Sequence, residues 1–196
     1  MAMPPDDRRD QILDTAAAVR GERGVARVRV ADIATRLGVS VGLIPYHFGS
    51  KDDVIAATFE RIAEQDLVRV TEVSDTTPAA RIAHILELYL ADDPAWGLWL
   101  NAYGEAQHIP ALHSTLLESA KAWLATFERE IRRGVDEGAW ACASPCDSAT
   151  KIISYVDGLG VHVSLGMLGI GHAQALEWGR QFVADELGVP VGELQR

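Results

Sequence analysis

VADIATRLGVSVGLIPYHFGSKDDV, residues 30–54, decides how the rest of this chain is read. Ile33, Ala34 and Leu37 recur at helical spacing and predict a short helix over Val30–Leu37 with those three side chains inward. Gly38-Val39-Ser40 then makes a tight turn, and a second short helix is expected from Val41 to His47 with Ser40 as its N-cap. Gly49-Ser50 breaks the chain again. Two short helices joined by a glycine-containing turn form a helix-turn-helix pattern. In such a pair the first helix braces the second, whose N-terminal residues can enter the DNA major groove. Ser40, Tyr46, His47 and Lys51 all carry groups able to bond phosphate or base edges, and most hydrogen bonds in such interfaces go to phosphate.

Working outward, Ile12, Leu13, Ala16, Ala17 and Val19 predict a helix over Arg8–Arg23, with Asp6, Asp7 and Asp10 near its positive end and Gly24 as its stop. Downstream, a long helix is predicted from Lys51 to Val73, its apolar side made by Val54, Ile55, Phe59, Ile62 and Leu67. Five more helices are predicted over Pro78–Ala91, Pro94–Gln107, Pro110–Glu137, Pro145–Leu168 and His172–Leu187. Four of these five begin at a proline, the residue favoured in a helix's first turn. No segment sustains strand alternation. The expected fold is all-α with about nine helices: a three-helix head over 1–52 and a helical body over 53–196, linked by the helix near 51–73.

The net charge of −10 is opposite in sign to what DNA attracts, but it is unevenly spread. Residues 1–51 carry eight basic and six acidic side chains; the other 145 carry ten and twenty-two. A polyanion is therefore directed to the head and repelled by the body. No apolar run is long enough for a membrane span and the first ten residues are polar, so the expected location is cytoplasmic. Cys142 and Cys146 lack the companions a zinc site needs and are read as loop thiols. Glu105-x-x-His108 is half of a di-iron carboxylate motif with no second copy, so no metal and no cofactor is expected.

The ordered residues IATRLGVSVGLIPYHFGSKDDV, 33–54, resemble the signature of TetR-family regulators: Ile-Ala, a Gly-Val-Ser turn, a glycine, an aromatic cluster ending in Phe, then Lys. The resemblance covers residues 8–60, and GLIPYHFGSKDDV with VDGLGVHVSLG (156–166) is closest to the betaine/choline-type (BetI-like) branch, whose ligands differ widely. It implies a DNA-binding head and a ligand-binding, dimerising body. Carried over by position, Gly42 is the small residue that lets the recognition helix approach DNA. Val41 and Leu43 face bases, where apolar groups can meet thymine methyls but cannot hydrogen-bond a purine. His47 and Lys51 touch phosphate, Arg29 stands where the backbone is contacted, and Phe48 is a core aromatic. The chain departs from the pattern at Pro45, where Tyr is usual; proline there removes a donor and is expected to tighten or kink the helix, leaving Tyr46 to supply a hydroxyl from a rotated position.

In the body, Trp96, Trp99 and Tyr103 share one face of a helix, and Trp123 and Phe127 lie one turn apart on the next. Aromatics at this spacing are ordinarily core. With Glu105, Asp157 and His162 as polar members they also describe a pocket for a small-molecule effector, a cation or amine in particular. The apolar faces of residues 145–187 are expected to make a homodimer, so that two heads meet a palindromic double-stranded DNA operator. The expected function is a repressor released from that operator by the effector, with activation as the alternative that the sequence does not separate from it. Two rivals stand beside it: a ligand-binding protein whose head has lost DNA affinity, and a helical enzyme using Glu105, His108 and Asp157, for which no nucleophile-base pair, phosphate loop or complete metal set is present.

Overall fold

The computed structural model describes residues 5–23, 29–71, 76–90 and 95–195. Every regular element among them is helical. The α-helices are α1 (Pro5–Arg23), α2 (Val30–Leu37), α3 (Leu43–Phe48), α4 (Lys51–Thr71), α5 (Pro78–Tyr89), α6 (Ala95–Glu105), α7 (Pro110–Asp136), α8 (Pro145–Ser164) and α9 (His172–Leu187). Short 3-10 turns lie at Met167–Gly169 and Val191–Leu194. The expected stop at Gly24, the end at Val73 and the start at Pro94 lie outside the described residues.

Local capping explains most boundaries. The Asp32 carboxylate reaches back to the Arg29 N–H at 3.2 Å and opens α2. Gly38, at φ 68°, closes it: the Gly38 N–H donates to Thr35 O and the Val39 N–H to Ala34 O. Ser50 and Asp53 form a reciprocal cap on α4, with the Ser50 N–H donating to Asp53 Oδ2 at 3.0 Å and the Asp53 N–H to Ser50 Oγ at 3.1 Å. Thr77 caps α5 and Ser144 caps α8, each followed by a proline at the first helical position.

Two boundary expectations are corrected. Ser40 is not the N-cap of α3: Val41 and Gly42 stay in the turn, the Ser40 carbonyl accepts the Leu43 N–H at 3.0 Å, and Gly42 takes the cap position. The helix of residues 145–168 stops at Ser164, because Gly166 and Leu168 both adopt left-handed backbone at φ 63° and 60°.

The chain divides into two compact units, Met1–Gln65 with Gly97–Ser119, and Asp66–Trp96 with Ala120–Arg196. In the first, Ile12, Leu13, Ala16 and Val19 of α1 pack with Ile33, Ala34, Ile44, Phe48 and Val54. A second cluster joins Ile55 and Phe59 to Ala102, Ala106, Ile109, Leu112 and Leu116. In the other unit the core is built from α5, α7, α8 and α9, with Ile82, Ile85, Leu86, Phe127, Ile131, Ile152, Val156, Val183 and Leu187 buried. Burying each such side chain contributes roughly 2 kcal/mol. Trp140 closes this core. Its indole N–H donates to Ile131 O at 2.9 Å, and its ring occupies the space above Gly134, where a Cβ would come within 1.9 Å of it.

Candidate nucleic-acid interface and effector cage

Helix α3 is six residues long, and two of them anchor it. Ile44 is fully buried and Phe48 nearly so, one turn apart, which fixes the rotation of the helix. The opposite side looks outward: Ser40, Val41, Gly42, Pro45 and Tyr46 are exposed, Tyr46 to 83%. Leu43, His47 and Lys51 are half-buried at the edge of this surface, and Arg29 is exposed at the start of α2. The Tyr46 and His47 rings meet edge-on at 5.3 Å.

Pro45 does not kink the helix. It is the third residue of α3, where a backbone N–H has no partner within the helix, so its missing donor costs nothing. The next N–H, of Tyr46, already donates to Gly42 O, and the Pro45 carbonyl accepts the Gly49 N–H at 2.7 Å. Gly42 is helical rather than left-handed, and a Cβ built on it meets nothing within 4 Å. Within the fold, then, a Cβ at 42 would meet no steric obstacle.

Arg9 was not among the sequence candidates. Its guanidinium stacks over the Phe48 ring at 4.2 Å and donates to His47 O at 3.1 Å, a cation on the negative end of α3. Arg61 of α4 pairs with Asp10 at 2.5 Å and Asp14 at 3.2 Å, neutralising two acids of α1. These contacts join residues 38 and some 50 positions apart, so no spacing rule exposes them.

The body aromatics do not form one group. Trp99, Tyr103 and Glu105 belong to the unit that holds α1–α3; there Trp99 packs on Phe59 with ring centroids 5.3 Å apart, and Tyr103 is exposed. The other unit gathers Trp96, Trp123, Phe127 and Asp157 around a residue missing from the predicted site, Tyr89. Its ring meets Trp123 at 4.9 Å, Trp96 at 5.7 Å and Phe127 at 6.3 Å, all edge-on. The Tyr89 hydroxyl donates to Asp157 Oδ1 at 2.6 Å, and the Trp96 indole N–H donates to Tyr89 O at 2.8 Å. Burial pushes the Asp157 carboxyl above its ordinary range, against the opposing hydrogen bond from Tyr89. Trp96 lies on Gly160: a Cβ there would stand 2.3 Å from the indole. His162 shares α8 with Asp157, but five residues turn it about 140° away, and its Nδ1 is buried without a partner.

Trp140 is core, Tyr155 stacks on Phe182 at 4.2 Å, and Trp178 is exposed, so these three are not cage members. The Cys142 thiol lies 3.3 Å from Ser148 Oγ, which donates to Glu186 Oε1 at 2.7 Å. Lys151, bonded to the same oxygen at 2.8 Å, together with Ser148 holds the Glu186 carboxyl below its ordinary range. Among the described residues no group of three His, Cys, Asp or Glu side chains could hold a metal, and no helix is long and apolar enough to cross a membrane.

Residues 12–65 match the family described as bacterial regulatory proteins, tetR family, and residues 78–188 match the BetI-type transcriptional repressor, C-terminal domain. The chain is 27% identical to the HTH-type transcriptional regulator BetI 2 of Chromohalobacter salexigens over 176 residues, covering 86% of this chain and 83% of that protein. It is 29% identical to BetI of Brucella anthropi over 198 residues, covering 92% and 93%. A transcriptional regulator from Saccharomonospora viridis, solved in complex with choline, superposes with a TM-score of 0.82 at 27% identity, over 91% of this chain and 96% of that one. The chain belongs to the TetR family, as a ligand-responsive DNA-binding transcriptional repressor with a BetI-type C-terminal domain.

Proposed function

We propose that this repressor reads its operator through the outward face of α3 and is released when a small organic cation enters the Tyr89 cage. The functional division is the one expected from sequence: residues 1–52 bind DNA, and 53–196 bind effector and dimerise through about 145–187, in the cytoplasm. Val41, Gly42 and Leu43 approach base edges; Arg29, Ser40, Tyr46, His47 and Lys51 contact phosphates. The observation that carries the effector reading is a Tyr ring ringed by three aromatics with its hydroxyl on a half-buried carboxylate. Aromatic faces and one carboxylate attract a positive charge that has no N–H to donate, as in a quaternary ammonium. A relative solved with choline gives that chemistry a precedent. Release requires the cation to bind the DNA-incompetent arrangement more tightly than the competent one.

The test is fluorescence anisotropy on duplexes from the region upstream of its own gene, titrated with choline. Binding that choline reverses is the expected result. Failure to bind any duplex would sink the DNA reading; binding that no quaternary ammonium reverses would sink the effector reading alone.

Two head variants probe the contacts. A Cβ at Gly42 meets nothing within 4 Å and the residue is exposed, so the melting temperature of Gly42→Leu is expected to stay within a few degrees while operator affinity drops by at least tenfold. Lys51 is a half-buried cation at the first position of α4, with Asp52 and Asp53 beside it in the same turn, and it stands at the edge of the outward surface of α3. Lys51→Ala is expected to weaken operator and random DNA alike and to reduce the salt slope by about one. An unchanged slope would show that Lys51 meets no phosphate.

A further inference from the structure

Helix α3 is under two turns long, and a helix that short has little stability of its own. Its N-cap, Gly42, offers no side chain to the first N–H groups, and Gly49 closes it by donating its N–H to Pro45 O. The carbonyls of the last turn find no partners inside a helix. Ile44 and Phe48 hold α3 from the core side, and Arg9 holds it from outside. α1 carries Arg9 one turn before Ile12 and Leu13, so a cation continues the stripe that Ile12, Leu13 and Ala16 bury. Its guanidinium lies 4.2 Å over the Phe48 ring, and the same group donates to His47 O at 3.1 Å. One planar cation thus grips both the last side chain of α3 and a carbonyl of its last turn. The helix that carries Arg9 is itself tied down, since Asp10 and Asp14 pair with Arg61 of α4.

We propose that Arg9 is a positioning residue for operator recognition: it sets the orientation of α3 on the core of the head, and through it the reading of bases, without contacting DNA itself. This rests on the reading of α3 as the helix that faces DNA. Bases are read over the short range of a hydrogen bond or a methyl contact, so a small rotation of α3 moves Val41, Gly42 and Leu43 out of register. Phosphate contacts from long side chains such as Lys51 can follow such a rotation, and they carry no sequence information. The role of Arg9 therefore lies in the choice between sequences and not in affinity for DNA as such. Lysine cannot take it over: an ammonium keeps the charge but has no plane to lay on the ring while it donates to a carbonyl. Arg9 is exposed, so a direct phosphate contact is the competing role, and a variant that keeps the charge separates the two.

The experiment compares wild type with Arg9→Lys by fluorescence anisotropy, on a duplex from upstream of its own gene and on a random duplex of equal length. Arg9→Lys is expected to lower the ratio of operator to random affinity about fivefold or more, with random affinity and its salt slope unchanged because the charge is kept. Amide hydrogen exchange of the free protein, followed by mass spectrometry, should quicken several-fold in α3 and not in α2. Arg9→Met, which keeps a long side chain on the ring but has no donor, should lower the ratio in the same direction. A ratio that neither variant moves, or exchange in α3 that stays at the wild-type rate, overturns the proposal. A loss shared equally by both duplexes, with a shallower salt slope for Arg9→Met, makes Arg9 a phosphate contact and overturns it too. A wild type that prefers no duplex over random DNA removes the reading of α3, and this role with it; a selective wild type matched by both variants removes Arg9 alone.

Discussion

Asp157→Asn is expected to cut affinity for a quaternary ammonium by about 2 to 4 kcal/mol, roughly thirty-fold to several hundred-fold, while leaving the unliganded chain as stable as before or more so. The two effects have opposite signs because they concern different states. In the free protein the half-buried carboxylate is costly when ionised, which is why burial pushes its titration upward. Asparagine keeps an oxygen for the Tyr89 hydroxyl and drops the charge. In the proposed complex the lost charge is the carboxylate that would face the cation. The pH dependence follows. With its folded titration raised, Asp157 favours the folded state at low pH, and this contribution is lost as pH rises through the folded value. A bound cation stabilises the ionised form, so binding near that value expels a proton, and affinity falls as pH is lowered through it. Calorimetry in two buffers of different ionisation enthalpy should detect the proton with wild type and none with Asp157→Asn. Equal proton release from both would remove Asp157 from the site.

Gly160→Ala should weaken the effector response by unseating Trp96. The added Cβ would overlap the Trp96 indole at 2.3 Å, far inside any real contact, so Trp96 must leave its seat. Its hydrogen bond to Tyr89 O, at 2.8 Å, goes with it, and the cage loses one wall. Overpacking of this kind costs about 1–3 kcal/mol, which in a chain of this size lowers the melting temperature by several degrees. Effector affinity is expected to drop about tenfold or more, because one aromatic face is lost. Operator binding in the absence of effector should persist. Trp96→Phe in the Gly160→Ala background, with a smaller ring, should recover part of the affinity; no recovery would show that the glycine serves helix packing alone.

How much of this was legible beforehand depended on range. The bounds of α2 were readable because both its ends are closed by groups within a few residues, Asp32 and Gly38. The start of α3 was misread because Ser40 has the right chemistry for a cap, yet its carbonyl, not its hydroxyl, is used, and Gly42 takes the cap. Pro45 looked disruptive because the helix was started two residues early; moved to the third position, the same proline is harmless. In the body, helical spacing grouped Trp96 with Trp99 and Tyr103. Spacing along one helix says which side chains share a face, not which unit that face packs into. Tyr89, the centre of the cage, is one aromatic among many until the elements that bring Trp96, Trp123 and Asp157 to it are folded.

The outward face of α3 has a consequence for the cell's ionic conditions. Its exposed part includes Val41, Gly42 and Pro45, with Leu43, His47 and Lys51 half-buried at the edge. Phosphate contacts weaken as counterions accumulate, and they weaken equally on every sequence. Contacts with thymine methyls displace no counterions and carry a negative heat-capacity change instead. A rise in salt would therefore lower occupancy of operator and bulk DNA together and leave the ratio between them nearly fixed. On the proposed contacts, temperature and not ionic strength is the variable to which this protein's choice of site would respond.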